Sequence, residues 1–171
     1  EELPHGYCIS ADFQTAGHGQ ATNHWESEER KNLLFSLLLR PSVIPASEQF
    51  VITEIVTLAI INALQDYIRQ RITIKWPNDI YVGDKKLCGI LIENALCGPT
   101  IDTCIVGIGI NINQELFTSN APNPISLKQL NGRDNDREEI FEEIYQNILR
   151  YYDYLADNWQ NNDIKQSLHY E

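Results

Sequence analysis

Between Ile72 and Asn113 four strand-like segments follow one another closely, ITIKW, IYV, LCGILIEN and TCIVGIGININ, and a segment of helical periodicity flanks them on each side. Upstream, Val51, Ile55, Leu58, Ile61, Leu64 and Ile68 recur at three- and four-residue steps, and Ser47 stands where it would cap such a helix. Downstream, Ile140, Ile144, Ile148, Leu155 and Trp159 keep the same period, and Asp136 with Glu139 resembles a capping box. Strands clustered between two long helices predict an α+β fold, a mixed or antiparallel sheet with the helices packed on one face.

Two more strands are predicted nearer the start. Gly6 to Phe13 (GYCISADF) alternates, and Asn32 to Arg40 (NLLFSLLLR) is an apolar run closed by Pro41, so it reads as a strand covered on both faces. Between them QTAGHGQATNHW has the Gly, Thr and Asn content of a loop. GDKK predicts a hairpin between IYV and LCGILIEN, and ISLKQL a short helix. The final NDIKQSLHYE supports no element.

With 171 residues the chain suits one domain, and its 43% hydrophobic content supplies a core. Thirteen Lys plus Arg against 24 Asp plus Glu leave a formal net charge of -11, so the surface repels phosphodiester backbones and anionic lipid headgroups. Neither a nucleic-acid partner nor a membrane partner is expected. Positive charge used on a small anion must be local. Cys8, Cys88, Cys97 and Cys104 show no CxxC spacing, which points to reduced thiols and a cytoplasmic protein. The most apolar run, Leu58 to Leu64, is broken by Asn62 and falls short of the roughly 20 residues of a membrane helix. The sequence opens on Glu1 and holds no Met, so it is read as a segment shortened at both ends.

In KWPNDIYVGDKKLCGILIEN, Pro77 with Asn78 and Asp79 turns the chain directly after Trp76, which brings Lys75, Asn78 and Asp79 together. Lys86 opens the next strand, and Gly89 leaves a gap where a ligand could meet backbone. Each residue also has a plain structural role. Hairpin lysines usually face solvent, a strand glycine often marks a bulge, Asp79 could serve only the turn, and Trp25 and Trp76 could be core or rim residues.

GHGQATNHW, then KWPNDIYVGDKKLCGILIEN, then GIGININ, in that order from Ser10 to Asn113, resembles the biotin protein ligases. The resemblance implies a class II synthetase-like catalytic domain, here a single domain over residues 1–171. It implies that biotin and ATP, with Mg2+, form biotinyl-5′-AMP and pyrophosphate, and that the biotinyl group then passes to a lysine of a biotin carboxyl carrier protein or carboxylase subunit. A homodimer is a further implication, and no metal-ligand cluster is implied.

Under the same resemblance Lys86 contacts the biotin carboxylate and the α-phosphate, Lys75 is the second cation, and Asp79 serves the incoming lysine. Gln14, Gly17, His18, Gly19, Gly89 and Leu91 fall to biotin. Gln20, Trp25, Asn78, Ile110 and Asn111 fall to the adenylate, with Trp25 over the adenine. Two readings compete with the ligase: a lipoate or octanoate ligase of the same fold, and a non-catalytic binder of biotin or adenylate. One departure stands out, since family members commonly place arginines where this chain has His18 and Gln20. An imidazole's charge depends on pH near neutrality.

Overall fold

A computed structural model describes residues 2–19, 24–119 and 123–160. In chain order the strands are β1 (Cys8–Ser10), β2 (Gly17–His18), β3 (His24–Trp25), β4 (Leu33–Leu39), β5 (Ile72–Lys75), β6 (Asp79–Val82), β7 (Lys85–Cys97) and β8 (Thr100–Ile110). The α-helices are α1 (Phe50–Leu64), α2 (Leu127–Asn131) and α3 (Arg137–Asp157). Six strands form one sheet in the order β1-β4-β8-β7-β6-β5, antiparallel at every junction, while β2 and β3 pair separately as a small ribbon.

The period-2 alternation of the central strands decides which face the helices cover. Leu33, Phe35, Leu37 and Leu39 of β4, Cys104, Val106, Ile108 and Ile110 of β8, and Cys88 and Ile90 of β7 enter one core with α1 and α3. α3 is amphipathic and contributes Ile140, Ile144, Ile148, Tyr152 and Leu155. α1 is apolar on nearly every side, as a helix enclosed within a core should be. By length and composition Ala46–Leu64 could cross a bilayer, but from Val51 onward its apolar residues enter the core, and α1 packs against α3.

Several boundaries differ from the sequence expectation. Ser47 does not cap α1. The chain enters α1 through a 3-10 turn, Ala46–Glu48, and the Glu48 and Gln49 amides donate to the Pro45 and Ala46 carbonyls at 2.9 and 3.4 Å, leaving no place for a hydroxyl cap. The first strand shrinks from eight residues to three. β4 is covered by helices on one face only, and Ser36 on the other face is exposed. β8 starts at Thr100 and stops at Ile110, with Asn111 to Asn113 outside it. Ile68 lies beyond the end of α1 yet is buried, and Leu58 and Ile61 are half-buried, because Ile52, Val56, Ala59, Ile60 and Ala63 form the inner line. Asp136 does cap α3, its Oδ1 accepting from the Glu138 and Glu139 amides at 2.9 and 3.2 Å. Gly83 takes φ +63° in the two-residue turn between β6 and β7, a conformation that suits glycine. The NDIKQSLHYE segment lies outside the described residues.

Candidate active site

On the sheet face away from the helices, register aligns small residues into a trough. Asp79 of β6, Gly89 of β7, Gly109 of β8 and Leu34 of β4 form one cross-strand row, and Leu91, Gly107 and Ser36 form the next. With three positions lacking side chains, the surface is hollow. The β2–β3 ribbon and Trp25 stand over this hollow, and the space between measures about 250 Å³.

The glycines are required by what lies on them. A Cβ at position 109 would come 2.6 Å from Cε2 of Trp25, and one at position 89 would come 3.0 Å from its Cζ3. The indole therefore rests on bare backbone. Gly17, opposite Trp25 in the ribbon, is under the same constraint, since a Cβ there would meet the Trp25 carbonyl oxygen at 2.6 Å. The indole Nε1 is buried and has no hydrogen-bond partner among the described residues.

One lysine enters this space. Nζ of Lys86 lies 2.8 Å from Oδ1 of Asp79 and 5.8 Å from the Trp25 ring centroid, and both members of the ion pair keep about a quarter of their side-chain surface exposed, 26% and 23%. The Lys86 backbone is fixed from outside the sheet. Its amide donates to Asn123 O at 2.8 Å and its carbonyl accepts from the Ile125 amide at 2.9 Å, a parallel bridge around Pro124. A register shift between Ile80 and Tyr81 sets where Lys86 falls against β6. The turn of Trp76–Asn78, whose Trp76–Pro77 peptide is cis, is tied back to β7: the Ile90 amide donates to Asn78 O at 3.0 Å, and Asn78 Nδ2 donates to the Ile90 carbonyl.

Of the residues singled out in the sequence, Gln14, His18, Gly19, Trp25, Asn78, Asp79, Lys86, Gly89 and Leu91 all line the cavity. Lys75 does not. It sits opposite Asp79 on edge strand β5, but the Asp79 carboxylate is taken by Lys86, and exposed Lys75 lies over the Tyr81 ring at 5.0 Å. The expected convergence of two ammonium groups is replaced by one lysine paired with a carboxylate. Ile110 is also misplaced, because its even position on β8 sends it, fully buried, into the helix-covered core. Asn111 lies behind Lys86, with Nδ2 donating to the Lys86 carbonyl at 3.5 Å and Oδ1 buried with no partner among the described residues, and it does not line the cavity. Gln20 falls outside the described residues.

Other residues of the site had no individual signal in the sequence. His24, Ser36, Glu93, Gly107 and Gly109 line the cavity, and only the alternating glycines of GIGIN hinted at a bare strand face. Glu26, next to Trp25, accepts from the Thr118 amide at 2.8 Å, the Thr118 hydroxyl at 3.0 Å and the Ser119 amide at 2.8 Å. Burial pushes its pKa up, but the bonds from Ser119 and Thr118 outweigh that and hold it below the usual carboxylate value. Behind it, buried Asn32 donates to Ser27 Oγ and Gln114 Oε1 at 3.2 and 2.6 Å and accepts from the Ile112 amide at 3.0 Å, locking the segment after β3 to the segment after β8.

The cysteines are free thiols. Burial pushes Cys104 up to about 12 and pushes Cys88 higher still, a neighbouring Asp79 adding to the rise and Lys86 opposing it, so neither serves as a nucleophile.

The profile of the biotin/lipoate A/B protein ligase family matches residues 1–111. The chain belongs to that family. Among relatives, the bifunctional ligase/repressor BirA of Bacillus subtilis is 34% identical over 159 residues, which cover 90% of this chain and 48% of that one. The biotin--[acetyl-CoA-carboxylase] ligase of Paracoccus denitrificans is 30% identical over 142 residues, covering 78% of this chain and 58% of that one. Among solved structures, the biotin protein ligase of Aquifex aeolicus in complex with biotin and ATP superposes with a TM-score of 0.79 at 30% identity, over 92% of this chain and 65% of that one. The α+β fold is thus that of the biotin protein ligases, class II synthetase-like. The chain spans about half the length of the Bacillus BirA relatives it matches.

Proposed function

We propose that this chain carries the ATP-dependent biotin-activating site of a biotin protein ligase and that the activated biotinyl group passes to a lysine of a biotin carboxyl carrier protein. The observation that carries the proposal is Lys86, a single lysine held at the edge of a glycine-floored cavity. The chemistry asks for such a group. A carboxylate must approach an α-phosphate, and two like charges about 4 Å apart repel by about 4 kcal/mol at an effective dielectric of roughly 20. A cation placed in advance offsets that repulsion and stabilises the charge that develops in the transition state.

The rest of the site supports this reading. Trp25 lines the cavity and its indole Nε1 has no hydrogen-bond partner among the described residues, a donor left for a bound ligand. Gln14 and the β2–β3 ribbon line the cavity, where they can exclude water from a mixed anhydride. Asp79 holds Lys86 in place at 2.8 Å before the anions arrive. When Lys86 turns to them, the freed carboxylate is positioned for the ammonium of the acceptor lysine. Among the described residues no group of three or more His, Cys, Asp or Glu is placed to hold a metal. Magnesium would arrive on ATP, bound mainly by phosphate oxygens and water.

The test is to incubate the protein with ATP and either biotin or lipoate and to detect the acyl-adenylate by mass spectrometry. Biotinyl-adenylate is expected, with a loss of about 100-fold or more in Lys86→Ala. Adenylate from lipoate alone, or formation unaffected by Lys86→Ala, would overturn the proposal. Tight biotin binding without adenylate would favour the non-catalytic reading.

A further inference from the structure

Two buried side-chain amides join the chain that roofs the cavity to the chain that floors it. Asn32, wholly enclosed and directly before β4, donates from Nδ2 to Ser27 Oγ at 3.2 Å and to Gln114 Oε1 at 2.6 Å, and its Oδ1 accepts from the Ile112 amide at 3.0 Å. Gln114 is as deeply buried. Its Oε1 accepts a second bond from the Glu28 amide at 2.9 Å, and its Nε2 donates to the Leu116 carbonyl at 2.8 Å. Because backbone N–H groups can only donate, the bonds from Ile112 and Glu28 fix which end of each amide is oxygen. Ser27 and Glu28 follow closely on Trp25, and Ile112 follows closely on Gly109. Backbone already joins the two segments, the Asn113 amide donating to the Lys31 carbonyl at 2.8 Å, and the amide pair extends that joint toward the indole.

We propose that Asn32 is a positioning residue of the site, which with Gln114 sets how closely the Trp25 indole lies on the glycine floor. The consequence for adenylate formation rests on the ligase reading above. The indole is packed so closely on Gly109 and Gly89 that a Cβ at either position would fall 2.6 or 3.0 Å from it, so the height of the ring fixes the shape of the space beside it. A displacement of Ser27 and Glu28 is carried to that contact through very little chain. Only an uncharged amide suits position 32, which must present two donors to oxygen atoms and one acceptor to an N–H in a place closed to water. A carboxylate there would set oxygen against Gln114 Oε1, and an apolar side chain would leave the Ile112 amide unpaired.

The test labels the protein with 5-fluorotryptophan, whose three fluorine resonances, from Trp25, exposed Trp76 and buried Trp159, are assigned with single Trp→Phe variants. Asn32→Ala is expected to move the Trp25 resonance and to leave those of Trp76 and Trp159 in place. Ser27→Ala, which removes only one acceptor at the edge of the pair, should move the same resonance by less, and it carries the test if Asn32→Ala does not fold. In the adenylate assay kcat/KM should fall about tenfold in Asn32→Ala, and less than about twofold when the same substitution is made in Trp25→Ala protein. A Trp25 resonance that stays in place, movement of all three resonances together, or an equal kinetic loss in both backgrounds overturns the positioning role. No adenylate from the wild type, with the Trp25 resonance still displaced in the variants, overturns the ligase reading and leaves the positioning of the indole standing.

Discussion

At position 109 one methyl group decides whether the Trp25 indole can lie on the sheet. The Cβ of an alanine would fall 2.6 Å from Cε2, closer than carbon atoms approach. Gly109→Ala is therefore expected to destabilise the protein by about 1 to 3 kcal/mol, the usual cost of overpacking. In a Trp25→Ala background the clash disappears, and the same substitution should cost little. Urea unfolding of the four proteins in this cycle measures the coupling. Equal cost in both backgrounds would mean that the indole does not press on the floor. The argument reaches function because a ligand must share this space with the indole, so ring position and site volume are set together.

Among elements, one carboxylate adds to the polar ties that hold the segment leaving β3 to the segment after β8. Glu26 accepts hydrogen bonds from Thr118 and Ser119, and these hold its pKa below the ordinary carboxylate value although burial acts the other way. A lowered folded-state pKa means stability that is fully present above the ordinary value and is lost as pH falls through the lowered one. Glu26→Gln, which imitates the protonated side chain, should cost about 1 kcal/mol near neutral pH for a partly exposed group. That difference should close in thermal melts as pH falls toward 3, and a gap constant with pH would remove the carboxylate from this role. Nothing in the sequence marked Glu26, because its partners lie more than ninety positions away. The Asn32–Gln114 contact was hidden for the same reason. By contrast β6, β7, the GDKK turn and the period of α3 were legible, since alternation, turn chemistry and helical spacing are local. The two-residue strands β2 and β3 are too short to carry a pattern. Lys75 was misplaced because proximity at a turn says nothing about which of two lysines takes a shared carboxylate.

Across the whole molecule, the two faces of the sheet have separate tasks. Helices α1 and α3 complete one face, and burial there supplies stability, while the opposite face carries a trough covered by the ribbon and Trp25. Substitutions on the two faces should therefore act on different quantities. Ile60→Ala, at a fully buried site of α1, should lower the unfolding free energy by about 2 to 5 kcal/mol. It should leave the stabilisation gained from biotin plus ATP unchanged, since that gain depends only on ligand concentration and affinity and reaches about 2.7 kcal/mol at a hundredfold excess over Kd. Lys86→Ala should do the reverse. Its ion pair with Asp79 is partly exposed and contributes little to folding, yet the ligand-dependent rise in melting temperature should largely vanish. Thermal melts of wild type and both variants, with and without ligands, distinguish the two effects. A full ligand shift in Lys86→Ala would separate binding from the lysine and leave it a role in the chemical step alone, whereas a shift lost in Ile60→Ala would show that the core reaches through the sheet to the site.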